Sequence, residues 1–404
     1  MIISLILLIH SITASVHTGA VMPDGKVDKV VMAPGQWHGP IFGVDVSADF
    51  TPDWHALQAW NNASVGVGLS YWNMGHEKLG HAIAPYAYMD IPLVKLPYFQ
   101  LGLRPGIGAA FMTKTYRNTI PDGHMFVDMI DANQSIGSVT NLYFPEAIYL
   151  RFPIAQGWGI GLSAGWYHMS NGSTRQPNSG YNIFAGEIAL SYDFTAQSTA
   201  NYRITSHTNA EDEKHTPSRK WSILMTATAG GRQVYYRDQQ TFAVASMHAA
   251  AYWHAHQIFR LGAGVDVFYD GAYVQRETKF VKTNLSLAQP RDCWRVGISL
   301  QPELVVGHFT AGFHVGAYMY DPVKNLEPHS EIKKKEELPQ ERLDKPIFYA
   351  YDLLKAGTPG NPDGWLYTSV VLRYHLPWNV VIQAMMKSHL TKVEMVTIGL
   401  GFYY

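Results

Sequence analysis

The segment from Trp158 to Phe194 reads as two long strands joined by a polar turn rich in Gly, Asn and Pro. It restricts the fold more than any other stretch. Strand side chains alternate between two faces. In the first strand Ile160, Leu162, Ala164, Trp166, His168 and Ser170 share one face, and Gly161, Ser163, Gly165, Tyr167 and Met169 share the other. In the second strand Asn182, Phe184, Gly186, Ile188, Leu190, Tyr192 and Phe194 lie together, opposite Glu187, Ser191 and Asp193. An apolar stripe of this kind is either buried in a soluble core or turned towards lipid. A His, a Ser and an Asn stand at its edge, beside the turn.

Composition favours lipid. Only 16% of the 404 residues are charged, and Tyr and Trp are frequent. With 31 Lys plus Arg against 32 Asp plus Glu there is no basic surplus to attract nucleic acid. The single cysteine, Cys293, excludes an internal disulfide framework. No later stretch reaches 18 consecutive apolar residues, so a transmembrane helix is not expected. The start, residues 1–20, carries one compact apolar run from Ile2 to Ile9 followed by small residues, and reads as a cleaved signal peptide. The competing reading is an N-terminal strand. Export, aromatic richness and strands without a membrane helix together point to the outer membrane.

Residues 21–38 are polar and turn-rich and are expected to be a periplasmic lead-in. Strand patterns then follow one another from residue 39 to 195 and again from 220 to 404, separated by a polar stretch over 196–219. The expected fold is all-β: an antiparallel transmembrane β-barrel of roughly 14–16 strands, or two related smaller barrels. Closure leaves no backbone donor unpaired in lipid. Periodicity alone leaves one wide barrel and two narrow ones both open.

The turn region HMSNGSTRQPNSGYN, residues 168–182, carries the chemistry. A Ser hydroxyl is a poor nucleophile until a base takes its proton. His168 and Ser170 are two apart, so their side chains are neighbours on one face. A hairpin centred near Arg175 sets Asn182 across from His168, where it can orient the imidazole. Asn171, Asn178 and the Gly172 amide are candidate donors to an oxyanion. The implied reaction is acyl transfer to water on a substrate presented from the membrane.

These residues resemble the lipid A 3-O-deacylase (PagL-type) family of outer-membrane esterases. The similarity is carried by His168-Met169-Ser170-Asn171-Gly172, by Pro177-Asn178-Ser179-Gly180, and upstream by ANQSIGSVTNLYF (132–144). The resemblance implies that Ser170 is the nucleophile and His168 the general base. It implies lipid A of lipopolysaccharide as substrate, cleaved at the acyl ester on its 3 position, and no metal or other cofactor. The family's acidic triad member aligns with Asn182, a departure, because an amide orients an imidazolium without neutralising it. Glu187, the nearest carboxylate, has the parity of the opposite face.

Other groupings are read as structural. Adjacent Ser388 and His389, with Glu394 nearby, fall on opposite strand faces by parity. His248, His254 and His256 share a parity, which suits lumenal polar residues and, less readily, a metal site. The charge run over 331–345 reads as a solvated loop. The alternative to an esterase is a barrel without turnover, acting as a pore or as a structural or lipid-binding protein.

Overall fold

The computed structural model describes residues 9–22, 38–50, 55–120, 132–133, 135–195, 220–233, 240–273, 290–321, 366–389 and 392–404. They form two compact units, each built on a closed, eight-stranded antiparallel barrel. The first comprises β1 (Ile9–Val21), β2 (His38–Phe50), β3 (Ser64–Asn73), β4 (His81–Leu96), β5 (Phe99–Met112), β6 (Thr140–Ala155), β7 (Trp158–Ser170) and β8 (Tyr181–Asp193). The second comprises β9 (Trp221–Gln233), β10 (Thr241–His256), β11 (Phe259–Asp270), β12 (Trp294–Val306), β13 (Phe309–Tyr320), β14 (Leu366–His375), β15 (Val380–His389) and β16 (Lys392–Tyr403). Two barrels, rather than one wide one, thus account for the sixteen strands.

The sequence reading of the N-terminus needs correction. Residues 9–20, assigned above to a signal peptide, belong to β1. This strand pairs on one edge with β2 and on the other with β8, from Ser11↔Asp193 to Val21↔Ile183. Without it the sheet would present two open edges to lipid. The alternation that identifies it is short but clear: Ser11, Thr13, Ser15 and His17 are buried, whereas Ile12 and Val16 are exposed. An apolar run seen in isolation suits a leader; only the partners on both sides show a strand. The first barrel therefore begins at residue 9, not 39. Residues 21–38 join β1 to β2 at the end of the barrel where β7 turns into β8, because Val21 lies opposite Ile183. The two-residue turns at 97–98 and 156–157 close the other end. Short turns mark the periplasmic side of such barrels and longer connections the outer side. The described ends of the segment expected to be a periplasmic lead-in, Val21 and His38, lie at the same barrel end as the β7–β8 turn, and its residues 23–37 lie outside the described residues. The 196–219 stretch and the 331–345 charge run also lie outside them.

Eight strands enclose a bore just wide enough for side chains to fill. In the first barrel Asp49 accepts from Ser11 and Tyr88, and Asp45 accepts from Ser70 and Tyr86. Asp90 is gripped by both Arg104 (2.6 and 2.7 Å) and Arg151 (3.0 Å). Towards the β7–β8 turn the filling becomes aromatic and apolar, with Trp72, Tyr143, Tyr167, Met169 and Ile183 packed together. In the second barrel Glu303 is bound by Arg260, Arg373 and His314, and Glu394 by Arg295 and Lys387. Asp90, Glu303 and Glu394 each meet opposite charges, and Asp45 and Asp49 are satisfied by hydroxyl donors, the condition on which a buried carboxylate is tolerated.

Val16 sits mid-strand with its side chain 57% exposed on the outer face of β1. Val16→Arg is expected to destabilise the folded barrel by about 2–4 kcal/mol, the cost of a cation near the bilayer midplane. Denaturant titration in lipid vesicles measures it; unchanged stability would mean that residue 16 is absent from the folded barrel.

Candidate active site

The β7–β8 ladder puts His168 directly opposite Asn182, as a turn centred on Arg175 requires. Both lie on the outward face, in the same rows as exposed Trp166 and Phe184. His168 Nε2 is 2.8 Å from Ser170 Oγ, and His168 Nδ1 is 2.9 Å from Asn182 Oδ1. Ser170, His168 and Asn182 are thus joined in one hydrogen-bonded series. Ser170 is only 1% exposed and His168 is half-buried, which keeps bulk water from the hydroxyl. The imidazole is flanked by Trp166, with ring centroids 5.3 Å apart, and by Phe144 of β6 at 6.3 Å, both stacked. Glu187 faces the bore, where it accepts from Ser163 at 2.7 Å. It is no part of the series.

Beyond Ser170 the chain turns sharply, and Gly172 and Ser173 both adopt positive φ (61° and 66°). The two predicted support residues meet here: the Asn171 backbone N–H donates to Asn178 Oδ1 at 3.0 Å. The Asn171 side-chain amide donates to Ser138 Oγ at 2.8 Å. Asn171 and Asn178 therefore order the turn through these bonds. Asn133 and residues 135–138 form the brace. The Ser135 carbonyl accepts from the Ser179 and Gly180 amides, Ile136 bridges to Asn178, and Asn133 donates to the Tyr181 hydroxyl at 2.9 Å. Gly180 has a φ of 74°, and a Cβ there would stand 2.7 Å from the Met169 carbonyl and 2.9 Å from Ser170 Cβ. Only glycine lets the returning strand pass this close to the hydroxyl.

One contact was missed from the sequence. The Trp166 indole N–H donates to Asn182 Oδ1 at 3.2 Å, so this oxygen accepts two bonds. Shared parity was the signal, since residues 166, 168 and 182 occupy one face.

A second Ser–His–carboxylate series lies inside the second barrel. His248 Nδ1 is 2.6 Å from Asp266, and its Nε2 is 3.2 Å from Ser246 Oγ. Ser246 also bonds Thr228 at 2.6 Å, and Met385 Sδ sits 3.1 Å from the same Nε2. This series is turned into the bore, away from the outer wall. His254 instead bonds Ser222 and Tyr403, and His256 is exposed, so the three histidines of β10 do not converge on a metal. Ser388 and His389 do not form a catalytic set, in keeping with their opposite parity on β15: Ser388 bonds Thr368, while His389 bonds Tyr318 in the bore.

The closed barrels and the family models together give the class: an ester hydrolase of the outer membrane. Residues 42–191 match the family model for lipid A 3-O-deacylase (PagL), and residues 221–330 match that for the acyloxyacyl hydrolase C-terminal domain. The chain belongs to this family and is an outer-membrane lipid A deacylase. No curated protein matches it. Among solved structures it is similar to the outer membrane enzyme PagL, at 21% identity and a TM-score of 0.29, covering 44% of this chain and 97% of that one. It is also similar to Neisserial surface protein A, at 11% identity and a TM-score of 0.27, covering 46% and 96%. A Rh. blastica porin mutant gives 10% identity and a TM-score of 0.18, covering 97% and 99%.

Gly180→Ala is expected to lower deacylation by about a hundredfold, because displacing a reacting group by an ångström has that effect. The barrel should persist, as judged by its heat-dependent gel migration. Wild-type turnover in this variant would mean that the close approach at Gly180 is immaterial.

Proposed function

We propose that Ser170 is the nucleophile, His168 the general base and Asn182 the residue that orients the imidazole, in removing the 3-O-linked acyl chain of lipid A. Ser170 Oγ attacks the ester carbonyl as His168 Nε2 takes its proton. The tetrahedral intermediate collapses, and the lipid A 3-hydroxyl leaves with that proton. Water, deprotonated by the same imidazole, then attacks the acyl-serine and releases the fatty acid. The Gly172 amide, at the head of the turn, is the proposed donor to the oxyanion. Asn171 and Asn178 support it by ordering the turn.

The observation that carries this reading is the 2.8 Å Ser170–His168 bond on the outward face of the barrel. A fatty ester reaches that face sideways from the lipid. The site stands at the end opposite the two-residue turns, which is the outer-leaflet end where lipopolysaccharide resides. Asn182 does one part of a carboxylate's work: it accepts from Nδ1 and so leaves Nε2 as the basic nitrogen. It adds no charge to stabilise the imidazolium, and amide orienters serve in Cys-His-Asn sites. A pore is not favoured, because polar and aromatic side chains fill the bores.

Mass spectrometry of lipid A from cells carrying either form of the protein tests this. The wild-type chain should remove one 3-hydroxyacyl group, and Ser170→Ala should reduce the rate by at least about a thousandfold. Identical spectra with both would reject the assignment.

A further inference from the structure

We infer that Trp166 is a positioning residue for the reaction, fixing the orientation of the Asn182 amide and, through it, the tautomer of His168. This rests on the Ser170/His168 reading above. A side-chain amide has two ends, an acceptor oxygen and a donor nitrogen, which exchange places on a half-turn. A carboxylate has no such ambiguity. Where Asn182 occupies the acidic position, something must therefore decide which end faces the imidazole.

The indole N–H decides it. Indole nitrogen donates and never accepts, so the Asn182 atom 3.2 Å from Trp166 Nε1 is the oxygen. That same oxygen is 2.9 Å from His168 Nδ1, so Nδ1 carries the proton. A neutral imidazole has one N–H, which leaves Nε2 with its lone pair directed at Ser170 Oγ, 2.8 Å away. The hydroxyl then donates to Nε2, the arrangement a general base needs. Turning the amide over would set its NH₂ against both Nδ1 and the indole N–H. Two donors would then face each other at the indole, and the imidazole would shift its proton to Nε2, where it blocks proton transfer from Ser170.

The surroundings strengthen the preference. Trp166 is two residues before His168 on one face of β7, with its ring stacked on the imidazole at 5.3 Å. Its side chain is 37% exposed at the outer wall. Trp166 thus touches neither the ester nor the reacting oxygen, and acts through Asn182.

The test is a double-mutant cycle on the full-length protein in lipopolysaccharide-containing vesicles, with Trp166→Phe made in two backgrounds, Asn182 and the isosteric Asn182→Asp. In the Asn182 background Trp166→Phe is expected to lower kcat about tenfold with KM little changed, the effect of losing one hydrogen bond that selects between the two orientations. In the Asn182→Asp background the same substitution should change kcat by less than about twofold, since both carboxylate oxygens accept. An equal loss in both backgrounds would mean that Trp166 only packs against the imidazole, and no loss in either would mean that the indole bond is irrelevant; either result overturns the inference. Heat-dependent gel migration confirms folding, and Trp166→Tyr replaces the Phe variant if that one does not fold. Ser170→Ala in the same assay separates the two levels: retained activity there rejects the hydrolase site itself.

Discussion

A sheet immersed in hydrocarbon has to close on itself, because an unpaired edge strand would leave peptide N–H and C=O groups with no partner. Everything else in this protein follows from that closure and from the two-residue period of a strand. Once a sheet of eight strands is shut, one set of side chains meets lipid and the other meets the far wall of a narrow bore. In so small a bore the inward carboxylates meet either counter-charges or hydroxyl donors. Asp90 with Arg104 and Arg151, and Glu303 with Arg260 and Arg373, are instances from the two barrels.

The candidate active site departs from this rule. His168, Ser170 and Asn182 put polar atoms on the outward face, where each would be costly alone. They are tolerated because they satisfy one another, with Trp166 supplying the last donor. Departure from the general pattern and fitness for chemistry on a lipid ester have the same origin, since the outward face is the one a fatty chain can touch.

The second barrel makes the comparison within one chain. Ser246 and His248 are also two apart on a strand, and Asp266 lies directly opposite His248, as Asn182 lies opposite His168. The inner series even has the carboxylate that the outer one lacks. It differs in position: it faces the bore, packed against Thr228 and Met385, whereas the Ser170 series is displayed on the outer face.

Much of this was readable from residue order. Strand alternation located fifteen of the sixteen strands, since each pattern is set by immediate neighbours along the chain. It assigned His168, Ser170 and Asn182 to one face and Glu187 to the other, and the turn length fixed their register. Partnership across the chain was not readable. The role of Ile9–Val21 depends on β2 and β8, with β8 more than 150 residues away. The division into two barrels depends on which edges meet. The bracing of the candidate site's turn by Asn133 and residues 135–138 joins two separate connections. A period of two is a property of the strand itself, whereas closure, register slips and bonds between loops arise only when distant segments are brought side by side.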